Sequence, residues 1–200
     1  MTTISAKAVA ELRSKSGAGM MDCKHALVEA GGDEKQAMDL LRAKGIKSAD
    51  KKSERSTGDG RVHSYIHHNQ KVGVLLEVAC ETDFVARGEI FEGLLNDLCM
   101  HIAAHQPSPI AVNAEDISQD LIDEEKRQLL LSDDLEGKPD EIKDKIVDGR
   151  MSKFTSERAL LSQDFVKDPS MTVENLVKAV VAKVGENVQV NRFERFELGS

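Results

Sequence analysis

Tryptophan is absent from the 200-residue sequence, and tyrosine occurs only once. With six phenylalanines, aromatics make up 4% of the chain. Base-stacking platforms need aromatics clustered on a positive surface, and no such cluster occurs. Positive charge is also in short supply: 27 Lys and Arg face 35 Asp and Glu, for a formal net charge of -8. A protein that grips many phosphates usually carries a basic face, so no nucleic-acid partner is expected. Cys23, Cys80 and Cys99 are widely spaced and make neither a disulfide framework nor a CxxC metal site. A reducing cytoplasm is the simplest compartment for them. No apolar run approaches the roughly 20 residues of a membrane span, so no membrane partner is expected. The start of the chain lacks the apolar core of a secretory signal, and acidic residues from Glu11 onward do not fit a transit peptide.

Chemical motifs are equally scarce. The sequence holds no GxxxxGK[ST], GxGxxG or GxSxG pattern. No catalytic residue, cofactor or resident metal is expected, and the chain does not read as an enzyme. His63 and His67 share a strand face but stand about 13 Å apart at ~3.3 Å per residue, too far to ligate one ion. His101 and His105 are spaced i, i+4 on a helix and could reach a common ion. The HExxH glutamate and a third ligand are missing, which favours an ordinary helix flank. Cys80, at a strand end, reads as a buried thiol.

What is present is a change of period along the chain. Residues 1–45 read as three helices. Ser5 is a plausible N-cap, Ser16–Gly19 is a turn, and Cys23, Ala26, Leu27 and Ala30 form one stripe. Asp33 caps the third helix, Ala37, Met38 and Leu41 share its inner face, and Gly45 is expected to stop it. Residues 46–60 are polar and charge-rich and read as a linker. From Arg61 a second, larger domain runs over 61–200. There Val72, Val74, Leu76, Val78 and Cys80 alternate as a strand with one buried face. Val62, Ser64 and Ile66 suggest its hairpin partner. Phe91, Leu94, Leu95, Leu98 and Ile102 stripe a helix that Pro107 terminates. A charge-rich helical stretch over 119–161 is broken at Gly137-Lys138-Pro139, with Ile142, Ile146 and Val147 as its narrow apolar face. Thr172 caps a last helix, Gly185 stops it, and Asn187–Leu198 reads as a final strand. Strands at both ends with helices between imply an α+β domain with a small antiparallel sheet. Two features stay open between packing and contact. Phe84 follows a strand end and the polar pair Thr82-Asp83, with Asp83 a candidate cap. Met20 and Met21 follow a glycine turn, as helix-end packing or as an adaptable contact surface.

Leu12-Arg13-Ser14-Lys15-Ser16-Gly17-Ala18-Gly19-Met20-Met21-Asp22-Cys23-Lys24-His25-Ala26-Leu27 closely resembles the N-terminal signature of the elongation factor Ts family. Ser16 replaces the usual Thr, and His25 a Lys or other polar residue. Glu77-Val78-Ala79-Cys80-Glu81-Thr82-Asp83-Phe84-Val85-Ala86-Arg87 resembles the second signature, with Ala79 for a customary Asn. Met100–Ala104, Gly149-Arg150-Met151, Gln163-Asp164-Phe165-Val166 and Arg195-Phe196-Glu197 match further on, in family order and over nearly the whole chain. The length, and the lack of a heptad coiled coil, resemble the short members.

The resemblance implies an exchange factor that binds elongation factor Tu with GDP and weakens its hold on nucleotide and Mg²⁺. It implies that residues 1–45, similar to a ubiquitin-associated domain, dock on the GTPase domain of elongation factor Tu through Arg13, Met20, Met21 and Lys24. Asp83 and Phe84 are implied to wedge beside the Mg²⁺ site, with Thr82 and Val85 flanking them, and His101 to match a residue that helps disturb the phosphate-binding loop. Some short members pair as homodimers, so self-association is a further expectation.

Overall fold

The structure, a computed structural model, describes residues 4–199. In chain order the elements are α1 (Ala6–Ser16), α2 (Met20–Glu29), α3 (Glu34–Asp50), β1 (Asp59–Ile66), β2 (Val72–Cys80), α4 (Asp83–Ala86), α5 (Glu89–Ala104), α6 (Gln119–Leu130), α7 (Asp140–Arg158), β3 (Asp164–Phe165), β4 (Asp168–Thr172), α8 (Val173–Val184) and β5 (Val188–Glu197). The fold is α+β, as expected. No described helix is long and apolar enough to cross a membrane.

Ser5 caps α1 by accepting the Ala8 amide at 3.1 Å, and Asp33 caps α3 by accepting the Gln36 amide at 2.8 Å. Gly17 closes α1 at φ 69°, a left-handed position suited to glycine, and donates its N–H to the Arg13 carbonyl at 2.8 Å. The three helices close over Val9, Leu12, Cys23, Ala26, Leu27, Ala37 and Leu41. Gly45 does not stop α3, which continues through the start of the expected linker to Asp50. A Cβ at residue 45 would meet the Ala182 side chain at 3.2 Å, so this glycine serves close packing within an unbroken helix.

The main sheet has the order β1-β2-β5. Contacts of Asn187 with Glu81, Asn191 with Glu77 and Leu198 with Lys71 run β5 antiparallel to β2. All five alternating residues of β2, from Val72 to Cys80, are buried. Gly60 is held at φ 148° where β1 crosses β2 so closely that a Cβ would overlap the Val78 carbonyl and Ala79 Cα. A two-stranded hairpin, β3 with β4, pairs Asp164 with Thr172 and Phe165 with Asp168 around an irregularity. The sequence reading omits it, since two residues offer no alternation and Pro169 argues against a strand. The stripe of α5 is buried throughout. On α7 only Val147 of the expected apolar face is buried. Ile142 is exposed, and Arg150 instead ties α7 to Asp134, holding that carboxyl down at about 2.

The chain divides into two compact units. The first comprises the chain up to Arg61, Val78–Leu94 and Asn175–Gln189; the second comprises Val62–Glu77, Leu95–Glu174 and the chain from Val190.

Candidate functional site

The alternation of β2 ends at Cys80, whose buried thiol points inward and donates to the Thr82 carbonyl at 3.2 Å. Burial pushes this thiol's pKa up. The chain then turns once as α4, closed by Ala86 N–H to Thr82 O at 3.2 Å and Arg87 N–H to Asp83 O at 3.1 Å. Val85 and Ala86 face inward and are buried, while Phe84, on the opposite side of the same turn, is 84% exposed. A phenylalanine gains about 1.5–3 kcal/mol from full burial, and this one forgoes most of it. The reading of Phe84 as core is therefore excluded.

Asp83 is the first residue of the turn, and Thr82 takes the cap position. The Thr82 side chain caps nothing. Its hydroxyl donates to Glu186 Oε1 at 2.7 Å, and its N–H donates to Glu186 Oε2 at 3.0 Å. Asp83 pairs with Arg87 at 3.1 Å, with both side chains mostly in water. Hydrogen bonds to a charged group contribute about 1.5–3 kcal/mol, and exposed ion pairs about 0.2–1 kcal/mol. Thr82 is thus the tightly held residue of the turn and Asp83 the loosely held one. Beside the Phe84 ring, a cavity of about 670 Å³ is bordered by Arg87, Ile90, Lys183 and Val184.

Arg13, Met20, Met21 and Lys24 lie in the same compact unit as this corner, at the end of α1 and the start of α2. All four are exposed, Met20 at 48% and Met21 at 58%. That favours a contact surface over helix-end packing. On the same helix Asp22 Oδ1 pairs with Lys44 Nζ of α3 at 2.5 Å. A Cβ at residue 17 would sit 3.5 Å from Lys183 Cε, so the Lys183 stem lies along the α1–α2 turn while also bordering the Phe84 cavity.

His101 belongs to the second unit and has no exposed surface. Its Nδ1 accepts the Val166 N–H at 3.2 Å, which leaves Nε2–H to donate to Gln163 Oε1 at 2.9 Å. Gln163 spends its own amide on the Pro107 and Glu157 carbonyls. Burial lowers the His101 pKa and keeps the ring neutral. His101, which the resemblance matches to a core residue that helps disturb the phosphate-binding loop, is an internal tie between α5 and the β3–β4 hairpin. With both nitrogens engaged it cannot share an ion with His105, and the described residues hold no group of three metal-ligating side chains.

Residues 45–200 match the family described as Elongation factor TS. The chain belongs to the elongation factor Ts family. Proteins named Elongation factor Ts from three Prochlorococcus marinus strains, MIT 9211, MIT 9312 and MIT 9303, are 55%, 53% and 53% identical to it over 199 residues. Each alignment covers 100% of this chain and 91% of the relative. These relatives of elongation factor Ts type cover α1 and α2 as well, which the family match from residue 45 does not. Two residues of the site carry no sequence signal: Lys183, near the end of α8, and Glu186, between α8 and β5, lie about a hundred positions from the Phe84 turn.

Proposed function

We propose that this chain is a guanine-nucleotide exchange factor for elongation factor Tu, acting on its GDP complex and inserting Asp83 and Phe84 at the Mg²⁺ and phosphate site. The single observation that carries the reading is Phe84, a large apolar ring held 84% exposed on a turn whose other side is buried. A free protein does not gain from such a residue; a complex can. Residues 1–45 are the docking module on the GTPase domain, with Arg13, Met20, Met21 and Lys24 as contacts. Of the expected linker over 46–60, the part between the end of α3 and the start of β1 serves as linker, and 61–200 is the exchange core. Thr82 and Val85 support the pair from below, and His101 contributes from inside the fold, as the tie that holds α5.

No bond needs to be made or broken. Exchange is linkage between two ligands of one GTPase. If the factor weakens nucleotide binding tenfold, nucleotide weakens the factor's binding tenfold, at ~1.4 kcal/mol per decade. Incoming GTP then expels the factor by the same reciprocity. The exposed ring suits this work because it displaces ligands by shape alone, and the loosely paired Asp83 is free to leave Arg87 for the partner. The test is release of labelled GDP from elongation factor Tu in stopped flow. Phe84→Ala is expected to slow release about tenfold or more while leaving the melting temperature of the free protein unchanged. Unchanged release with the variant would sink the reading.

The same protein is proposed to self-associate. On the outer face of the sheet Val62, Ile66, Leu75, Phe196 and Leu198 are all exposed, and a groove of about 590 Å³ runs between Ile66, Gly73 and Phe196. Two such faces can pack as a sandwich about 10 Å thick, and a two-fold axis makes one patch complementary to itself. Light scattering is expected to give a dimer mass at tens of micromolar and a monomer mass for Phe196→Asp. A wild-type monomer at that concentration would remove this part of the proposal.

A further inference from the structure

Two dipeptides far apart in sequence grip each other beside the Phe84 turn. Glu186 offers both carboxylate oxygens to Thr82, one to its N–H at 3.0 Å and one to its hydroxyl at 2.7 Å. In return Glu81 Oε1 accepts the Asn187 N–H at 2.6 Å. Glu81-Thr82 and Glu186-Asn187 thus form a reciprocal clasp, each supplying a carboxylate to the other's backbone. Asn187 is a polar residue buried to 2% exposure, and its side-chain amide donates to the Ser53 carbonyl at 3.1 Å and the Arg55 carbonyl at 2.8 Å. Gln189 adds a second bond to Ser53 at 2.9 Å, and Arg55 reaches Glu81 at 3.4 Å. The segment leaving α3 is therefore fastened to the same knot that fixes the start of α4.

We propose that Glu186 and Asn187 are positioning residues for nucleotide exchange, holding Thr82 and the segment after α3 so that Asp83-Phe84 is presented in one orientation to a partner gripped by α1 and α2. The inference rests on the exchange-factor reading. A backbone N–H and a hydroxyl held by one carboxylate define both the position and the rotation of the turn, which a single bond would not. Val85 and Ala86 anchor the inner side of the turn by packing. Packing alone leaves the turn free to rock about that anchor, and the Glu186 bonds at its N-terminal end remove this freedom. Misplacement of a reacting group by about 1 Å can cost on the order of a hundredfold in rate, and a wedge faces the same geometric demand.

The experiment uses the full chain with elongation factor Tu·GDP and measures the maximal rate of GDP release and the concentration for half-maximal effect. Glu186→Ala is expected to lower the maximal rate by about three- to tenfold, with little change in the half-maximal concentration, since docking through α1 and α2 is intact. Glu186→Gln, whose carbonyl can still accept the Thr82 N–H and whose amide can donate to the Thr82 hydroxyl oxygen, is expected to recover most of the loss. In a Phe84→Ala background, Glu186→Ala should add much less loss, because it acts through the Asp83-Phe84 turn. Hydrogen exchange at the Thr82 amide should quicken in Glu186→Ala while distant amides such as that of Val166 keep their rates. The proposal is overturned if Glu186→Ala leaves the maximal rate unchanged, or if its loss persists undiminished beside Phe84→Ala. If Phe84→Ala alone has no effect, the exchange-factor reading itself has failed, whatever Glu186 does.

Discussion

The Phe84 corner and the outer face of the sheet both expose large apolar side chains, but they are built on opposite principles. The sheet face follows from alternation. Each strand that buries one side must turn the other outward, and here Val62, Ile66, Leu75 and Phe196 make that outward side apolar. It is broad, and no one side chain defines it. The corner is a single ring on a single turn, held by a carboxylate from the link between α8 and β5. A surface meant to be buried by area tolerates imprecision, whereas a point that must enter a site needs its mount fixed. The difference supports the proposal that one is an association face and the other an inserting element.

The largest expected effect comes from β2, the strand that carries Leu75 and leads in sequence to the Phe84 turn. Leu76 has no exposed surface on the central strand β2. Leu76→Ala is expected to cost about 2–5 kcal/mol in a urea melt and to weaken both activities together. Next comes the crossed pair. Phe84→Ala should slow GDP release about tenfold yet leave the light-scattering mass alone, and Phe196→Asp should do the reverse at equal melting temperature. If either variant moved both readouts, the two surfaces would not be separate devices. A smaller effect comes from pH. The folded His101 pKa lies below its ordinary value of 6.5, so the unfolded chain takes up the proton first as pH falls. The stabilisation is complete above pH 6.5 and drains away as pH drops from there toward the folded value. Exchange of the Val166 amide, bonded to His101, should quicken across that window while the Thr82 amide does not follow. The smallest effect is Arg87→Ala. Its exposed pair with Asp83 should contribute less than about 1 kcal/mol to a melt, and freeing Asp83 should leave GDP release equal or slightly faster.

Legibility in the sequence tracks the range of the interactions. The caps at Ser5 and Asp33 are three-residue events, and the β2 alternation and α5 stripe are periodic, so a linear reading finds them. The strand end at Cys80 is legible for the same reason, and with it the place of Phe84. Which way the ring points is not, because Val85 and Phe84 are both apolar neighbours on one turn and only the fold decides which goes in. Gly45 misleads because a helix-breaking residue can also be a close-packing one, and Ala182, 137 positions away, supplies the reason. His101 misleads for a related cause. A histidine on a helix flank looks available until Gln163 and Val166 arrive from 62 and 65 positions away to occupy both nitrogens. The Glu186 clasp lies beyond linear reading altogether, spanning 104 positions with one common residue type.

The three thiols give the molecule one more property. Cys23, Cys80 and Cys99 are all buried, and Cys99 is pushed up to about 12 by burial. All three are shielded from solvent, so maleimides and iodoacetamides meet no accessible thiol on the folded protein. A fluorophore attached through Arg87→Cys would therefore sit alone, three residues from Phe84. Its emission could follow the turn entering and leaving a partner in real time, with no native cysteine to replace first.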